Sequence, residues 1–94
     1  MTSDDALHGY LAGQFSDADL FGQTDAQAAV WGVNAESRAF YQEVLEQGRA
    51  VLAAASLDWQ RIGDSAKRNF TSEKTARAWL TTMLDRLQAA LNRL

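Results

Sequence analysis

The chain has no cysteine, no proline and a single histidine, His8. Without cysteine there is no disulfide framework and no thiol chemistry, and one histidine cannot build a structural zinc site of the usual Cys and His ligands within one chain. Missing proline removes the strongest helix breaker, and β-branched aliphatics are few: Val at four positions and Ile at one. No stretch alternates such residues with polar ones, so nothing argues for strands. The longest apolar runs, Ala28-Ala29-Val30-Trp31 and Val51 to Ala55, fall far short of the roughly 20 residues that span a bilayer. The start, Met1-Thr2-Ser3-Asp4-Asp5, lacks the cationic and apolar regions of a secretory signal, which predicts a cytoplasmic protein without a membrane segment.

Charge of one sign is also missing from part of the chain. Residues 1–37 hold six acids (Asp4, Asp5, Asp17, Asp19, Asp25 and Glu36) and no Lys or Arg, whereas residues 38–94 hold nine bases against six acids. The net charge of −3 thus hides an acidic third, and a folded acidic surface selects cationic partners and speeds encounter with them.

What is present favours helix. Of the 94 residues 47% are hydrophobic, enough for the core of one small domain. From about Ala35 to Ala55, the residues Phe40, Tyr41, Val44, Leu45, Gly48, Val51, Leu52 and Ala55 fall within about 140° of arc at the helical period. A second long helix is predicted after Thr71 or Ser72, either of which can cap it, with Ala76, Trp79, Leu80, Met83, Leu84, Leu87, Ala90, Leu91 and Leu94 as its apolar stripe. Shorter helices are predicted from Asp4 to about Phe15, capped by Ser3 and buried through Leu7, Tyr10, Leu11 and Phe15; over Ala28 to Val33, after the capping-box pattern Thr24-Asp25-Ala26-Gln27; and from Leu57 to about Ile62, between a Ser56 cap and a Gly63 stop. Gly63 to Thr71 reads as a polar loop. The expected fold is all-α, a single compact bundle of four to five helices over residues 1–94.

Familiar catalytic patterns are missing. The glycines form neither a phosphate loop nor a dinucleotide fingerprint, and no serine pairs with a His/Asp arrangement on sequence grounds. Asp17-Ala18-Asp19 opens like a calcium loop, but Phe21 and Gly22 follow where that loop needs other residues. No enzyme activity, cofactor or metal is expected. Arg61, Lys67, Arg68, Lys74 and Arg77 form a basic cluster, yet the acidic third would repel a nucleic acid, so the cluster is expected to solvate the surface and pair with that third. Trp31 projects about 140° from the stripe of Ala26, Ala29, Val30 and Val33, which leaves it either exposed as a protein-contact anchor or sandwiched; Trp59 and Trp79 read as core.

The segment Ser72 to Leu87 carries a capped start, then Arg77-Ala78-Trp79-Leu80 and a Leu-rich turn. With the opening Leu7, Tyr10, Leu11 and Phe15 followed by Asp17 and Asp19, it resembles the small helical immunity proteins of bacterial contact-dependent growth-inhibition systems. That family's aromatic after the first acidic residue is replaced here by Ala18-Asp19-Leu20, and the middle third matches in periodicity alone. The resemblance implies a cytoplasmic protein that binds and neutralises a cognate toxin domain, often a nuclease. The partner-binding residues expected are Asp17, Asp19, Asp25, Trp31, Glu36, Glu43 and Glu46, facing a basic toxin domain, with the protein monomeric or weakly dimeric. Two other readings stand beside it. One is an acidic helical adaptor or secretion chaperone for a basic client; the other is a small helical enzyme or ligand-binding subunit completed only in an oligomer.

Overall fold

The computed structural model describes residues 4–94. Among these residues there are five α-helices and no strand: α1 (Asp5–Phe15), α2 (Asp25–Ala29), α3 (Arg38–Ala53), α4 (Trp59–Ala66) and α5 (Glu73–Asn92), with a 3₁₀ turn, Ala18–Phe21, between the first two. The expected all-α bundle of four to five helices is the fold observed. A radius of gyration of 12.4 Å is what a folded chain of this length should have, about 12 Å.

Helix α1 is the centre of the arrangement, packing against α3 on one side and α4 on the other, while α5 closes the bundle against α2, α3 and α4. The predicted inner face of α1 is the observed one, since Leu7, Tyr10, Leu11 and Phe15 are all buried. In α5 the buried stripe is Ala76, Leu80, Met83, Leu84, Leu87 and Leu91, and Ser72 caps it by accepting the Thr75 N–H. Tyr10 is a hub for aromatic contacts: its ring meets Phe15 and Tyr41 edge-on at 5.6 and 5.9 Å, and Phe15 in turn meets Trp79 at 4.9 Å.

Several expectations are corrected. Ser3 lies outside the described residues, and α1 begins after Asp4. Helix α2 stops at Ala29, short of Val33. Helix α4 starts two residues later than expected and is capped by Asp58, whose Oδ1 accepts the Arg61 N–H at 3.2 Å. Gly63 is not a stop but an interior residue of α4, which ends with Lys67 in the left-handed region at φ 56°. Phe40, placed on the apolar stripe of α3, is 43% exposed, and the stripe of α5 does not reach Leu94, which is exposed beyond the end of the helix. Trp59 and Trp79 are half-buried at the core's edge and not within it. Among the described residues no helix is long and apolar enough to cross a membrane.

Candidate functional site: an apolar groove beside Trp31

Helix α2 is only five residues long and cannot stand by propensity alone. At its N-terminus the capping box is complete: Thr24 Oγ1 accepts the Gln27 N–H at 3.2 Å and Gln27 Oε1 accepts the Thr24 N–H at 2.9 Å. The carbonyls at the other end, which a helix leaves without partners, are taken by side chains from α1 and α3. Gln14 Nε2 donates to Ala28 O and Trp31 O at 3.0 and 2.5 Å, Tyr10 Oη donates to Ala29 O at 2.6 Å, and Tyr41 Oη donates to Trp31 O at 3.1 Å. Burial at this contact raises the Tyr10 and Tyr41 hydroxyl pKa values, so both remain donors.

The braced turn leads into Gly32, whose φ of 80° suits glycine, and a Cβ there would come within 3.2 Å of Tyr41 Oη. A second left-handed glycine, Gly22 at φ 69°, ends the 3₁₀ turn. Between the two glycines lies an open groove of about 640 Å³ lined by Phe21, Gln23, Gln27, Val30 and Trp31. Two of its lining side chains stand in solvent, Phe21 at 76% and Trp31 at 65% exposure, and Leu20, next to Phe21 in the chain but outside the lining, is 81% exposed. Scattered single apolar residues on a surface are ordinary; a large aromatic pair bordering one groove is the pattern of a contact site. Trp31 is thus exposed, held by backbone bonds to core side chains.

The expected acidic residues divide into three groups. Asp17 and Asp19 flank the start of the 3₁₀ turn that carries Leu20 and Phe21, and Glu36 lies in the turns just after Gly32; all three are exposed and take part in none of the ion pairs among the described residues. Glu43 and Glu46 are exposed on α3, which contributes nothing to the groove lining. Asp25 is partly buried and tied to the rest of the fold. Its carboxylate accepts from Arg68 Nη2 at 2.5 Å, from Arg68 Nε at 3.2 Å and from Trp79 Nε1 at 2.8 Å. The Arg68 hydrogen bond, aided by Trp79 and opposed by partial burial, lowers the Asp25 pKa. The Arg68 guanidinium also lies 6.0 Å from the Phe15 ring centre. Two of the five clustered bases pair with the acidic third as expected, Arg68 with Asp25 and Arg61 with Asp4.

Sequence reasoning missed Leu20 and Phe21 as surface residues. Two adjacent apolar residues between an Asp pair and Gly22 are too few to show a period, but their place in an acidic segment was a usable signal. It also missed a Ser–His–Asp string. His8 Nδ1 lies 2.7 Å from Ser65 Oγ, and His8 Nε2 lies 3.2 Å from Asp4 Oδ2, which Arg61 Nη1 also reaches at 3.1 Å. A carboxylate beside Nε2 requires the proton there, so Nδ1 accepts from the serine hydroxyl. The serine sits within α4, and neither the Trp31 groove nor the smaller one of about 290 Å³ beside Trp59, Gly63 and Phe70 is lined by any of these residues. The string bolts α1 to α4.

No family model, curated protein or solved structure matches this chain.

Proposed function

We propose that this chain is an immunity-type binding protein that neutralises a basic toxin domain, docking through the surface around Leu20, Phe21 and Trp31. It acts in the cytoplasm as a monomer, by occupancy and not by catalysis. The observation that carries the reading is the conjunction of two exposed aromatics, Trp31 on its braced turn and Phe21 on the 3₁₀ turn, with three exposed carboxylates, Asp17, Asp19 and Glu36, that form no ion pair among the described residues. Aromatic anchors supply most of an interface's binding energy, and surrounding charges choose the partner and speed its arrival. A nuclease binds a polyanion through cations, so an acidic surface competes for the same groups. The resemblance in Ser72 to Leu87 and in the opening helix points the same way.

The test is growth rescue. The C-terminal domain of a large secreted protein, where one is encoded beside this chain's gene, is expressed in cells with and without the chain, and wild type should restore growth. Trp31→Ala, and separately the reversal of Asp17, Asp19 and Glu36 to Lys, should abolish rescue while leaving the fold intact. Asp25 is left out of the reversal because it holds Arg68 and Trp79. Binding without rescue would favour the adaptor or chaperone reading.

A further inference from the structure

We infer that the groove between Gly22 and Gly32 receives a linear cationic amphipathic segment of the partner, whose large apolar side chains seat against Phe21, Val30 and Trp31 while its Lys or Arg side chains face Asp17, Asp19 and Glu36. This rests on the protein-binding reading above and adds how the partner is gripped. At about 640 Å³ the groove falls in the range of sites that enclose a ligand of many atoms, roughly 300–1,000 Å³, so more than one side chain must enter to fill it. The wall that carries Trp31 is preformed: it hangs on the Tyr10, Gln14 and Tyr41 bonds to the end of α2 and Trp31, so little ordering is needed there on binding.

The polar groups in the groove suit a peptide backbone. Gln27 Oε1 is occupied by the Thr24 N–H, whereas its Nε2 has no hydrogen-bond partner among the described residues and can donate to an incoming carbonyl. The charges select the sign of the ligand. A second copy of this chain is disfavoured, because a two-fold interface here would set Asp17, Asp19 and Glu36 of one copy near the same residues of the other. A polyanion is repelled for the same reason.

The probe is a phage-displayed library of random dodecapeptides, panned on the wild-type chain with counter-selection on Phe21→Ala/Trp31→Ser. Both side chains are exposed, so that variant should keep the wild-type melting temperature, and Phe21→Ala alone serves as a second decoy. Enriched peptides should carry at least two large apolar residues flanked by Lys or Arg. As synthetic peptides they should shift the Gly22, Gln27 and Gly32 amide resonances of the labelled chain, and lose at least about tenfold in affinity when Asp17 and Asp19 are changed to Lys. Peptides without cations, equal binding to the decoys, or shifts confined to Arg61–Arg77 would each overturn the inference. Shifts of the same amides with chain concentration alone would assign the groove to a second copy. Should no peptide enrich while an intact basic domain still binds in a Trp31-dependent way, the linear-segment inference fails and the proposed function stands; if neither binds, both fall.

Discussion

Asp25 and Trp31 sit six positions apart and have opposite assignments. Asp25 accepts hydrogen bonds from Arg68 and Trp79 across 43 and 54 positions of sequence, joining α2 to the end of α4 and to α5. Asp25→Asn removes the charge from a partly buried pair and should cost about 1–2 kcal/mol, read as a lower urea midpoint at unchanged slope. Arg68→Ala should cost a similar amount, and the double variant less than the sum of the two. Because the folded Asp25 pKa lies below its unfolded value of 3.8, its contribution is present above that pH and is lost as pH falls through the folded value. His8 makes a second pH-dependent contribution. Burial, with Arg61 next in size, lowers its pKa from 6.5 despite the opposing pull of Asp4 and Asp58. The unfolded chain therefore binds more protons just below pH 6.5, so His8 favours the fold above that pH and its contribution fades on acidification. The melting temperature should fall as the pH drops below 6.5, and His8→Asn should flatten that part of the profile. A wild-type profile no steeper than the variant's would show that His8 carries no such linkage.

At the scale of the element, the glycines separate positions that look alike in sequence. In α1, a Cβ on Gly9 or Gly13 would meet nothing within 4 Å, and both face solvent. Gly9→Ala and Gly13→Ala should each raise stability by about 0.5–1 kcal/mol. In α3 and α4 the same substitution meets atoms. A Cβ on Gly48 would come within 2.6 Å of Leu84 Cδ1, and one on Gly63 within 2.7 Å of the Arg68 carbonyl oxygen. Leu84 can turn aside in part, at a cost of about 1–3 kcal/mol for Gly48→Ala. The Arg68 backbone cannot, so Gly63→Ala should be the more damaging of the two. Urea unfolding of the four variants checks the order. The same elements show where local signals run out. The long helices α3 and α5 were legible because many residues repeat one period, and Thr24 and Ser72 because a cap acts within three positions. The start of α4 was misread because Ser56 and Asp58 are both capping residues. The start is set by Asp58, whose backbone is not helical (ψ 75°) and whose side chain caps the first turn, while the Leu57 N–H, left free ahead of the helix, is taken by Glu73 Oε1 at 2.6 Å, a partner 16 positions away.

Across the whole molecule, uneven charge and exposed aromatics make separable kinetic predictions. Reversing Asp17, Asp19 and Glu36 to Lys should slow association with a basic partner domain and weaken its salt dependence, since charges at a rim act chiefly by steering. Trp31→Ala should instead speed dissociation, by the equivalent of about 2 kcal/mol if the ring is a buried anchor in the complex. Both variants should unfold within about 0.5 kcal/mol of wild type, because none of these side chains is packed in the core. Surface plasmon resonance at low and high salt separates the two effects. Equal binding by the charge-reversed chain would move the partner surface to the basic stretch from Arg61 to Arg77.

The sequence by itself determined that this protein is helical, where its long helices lie, which residues of α1 and most of those of α5 face inward, and that its first third is acidic. Each of these follows from period, cap and composition, which act within a few positions of the chain. Only the tertiary structure decided that Trp31 faces solvent, because the stripe of its short segment fits both an exposed and a sandwiched ring, and the choice is made by Tyr10, Gln14 and Tyr41 from two other helices. The same holds for the acids. Six carboxylates of one sign look equivalent in the chain, and it is packing that brings Arg68 to Asp25 and Arg61 to Asp4, while Asp17, Asp19 and Glu36 stay exposed and in no ion pair among the described residues, Asp19 acting on Arg68 only through space. A guanidinium more than 40 residues away leaves no mark on the local pattern, so which charges the fold uses and which it leaves to a partner is settled only when the helices meet.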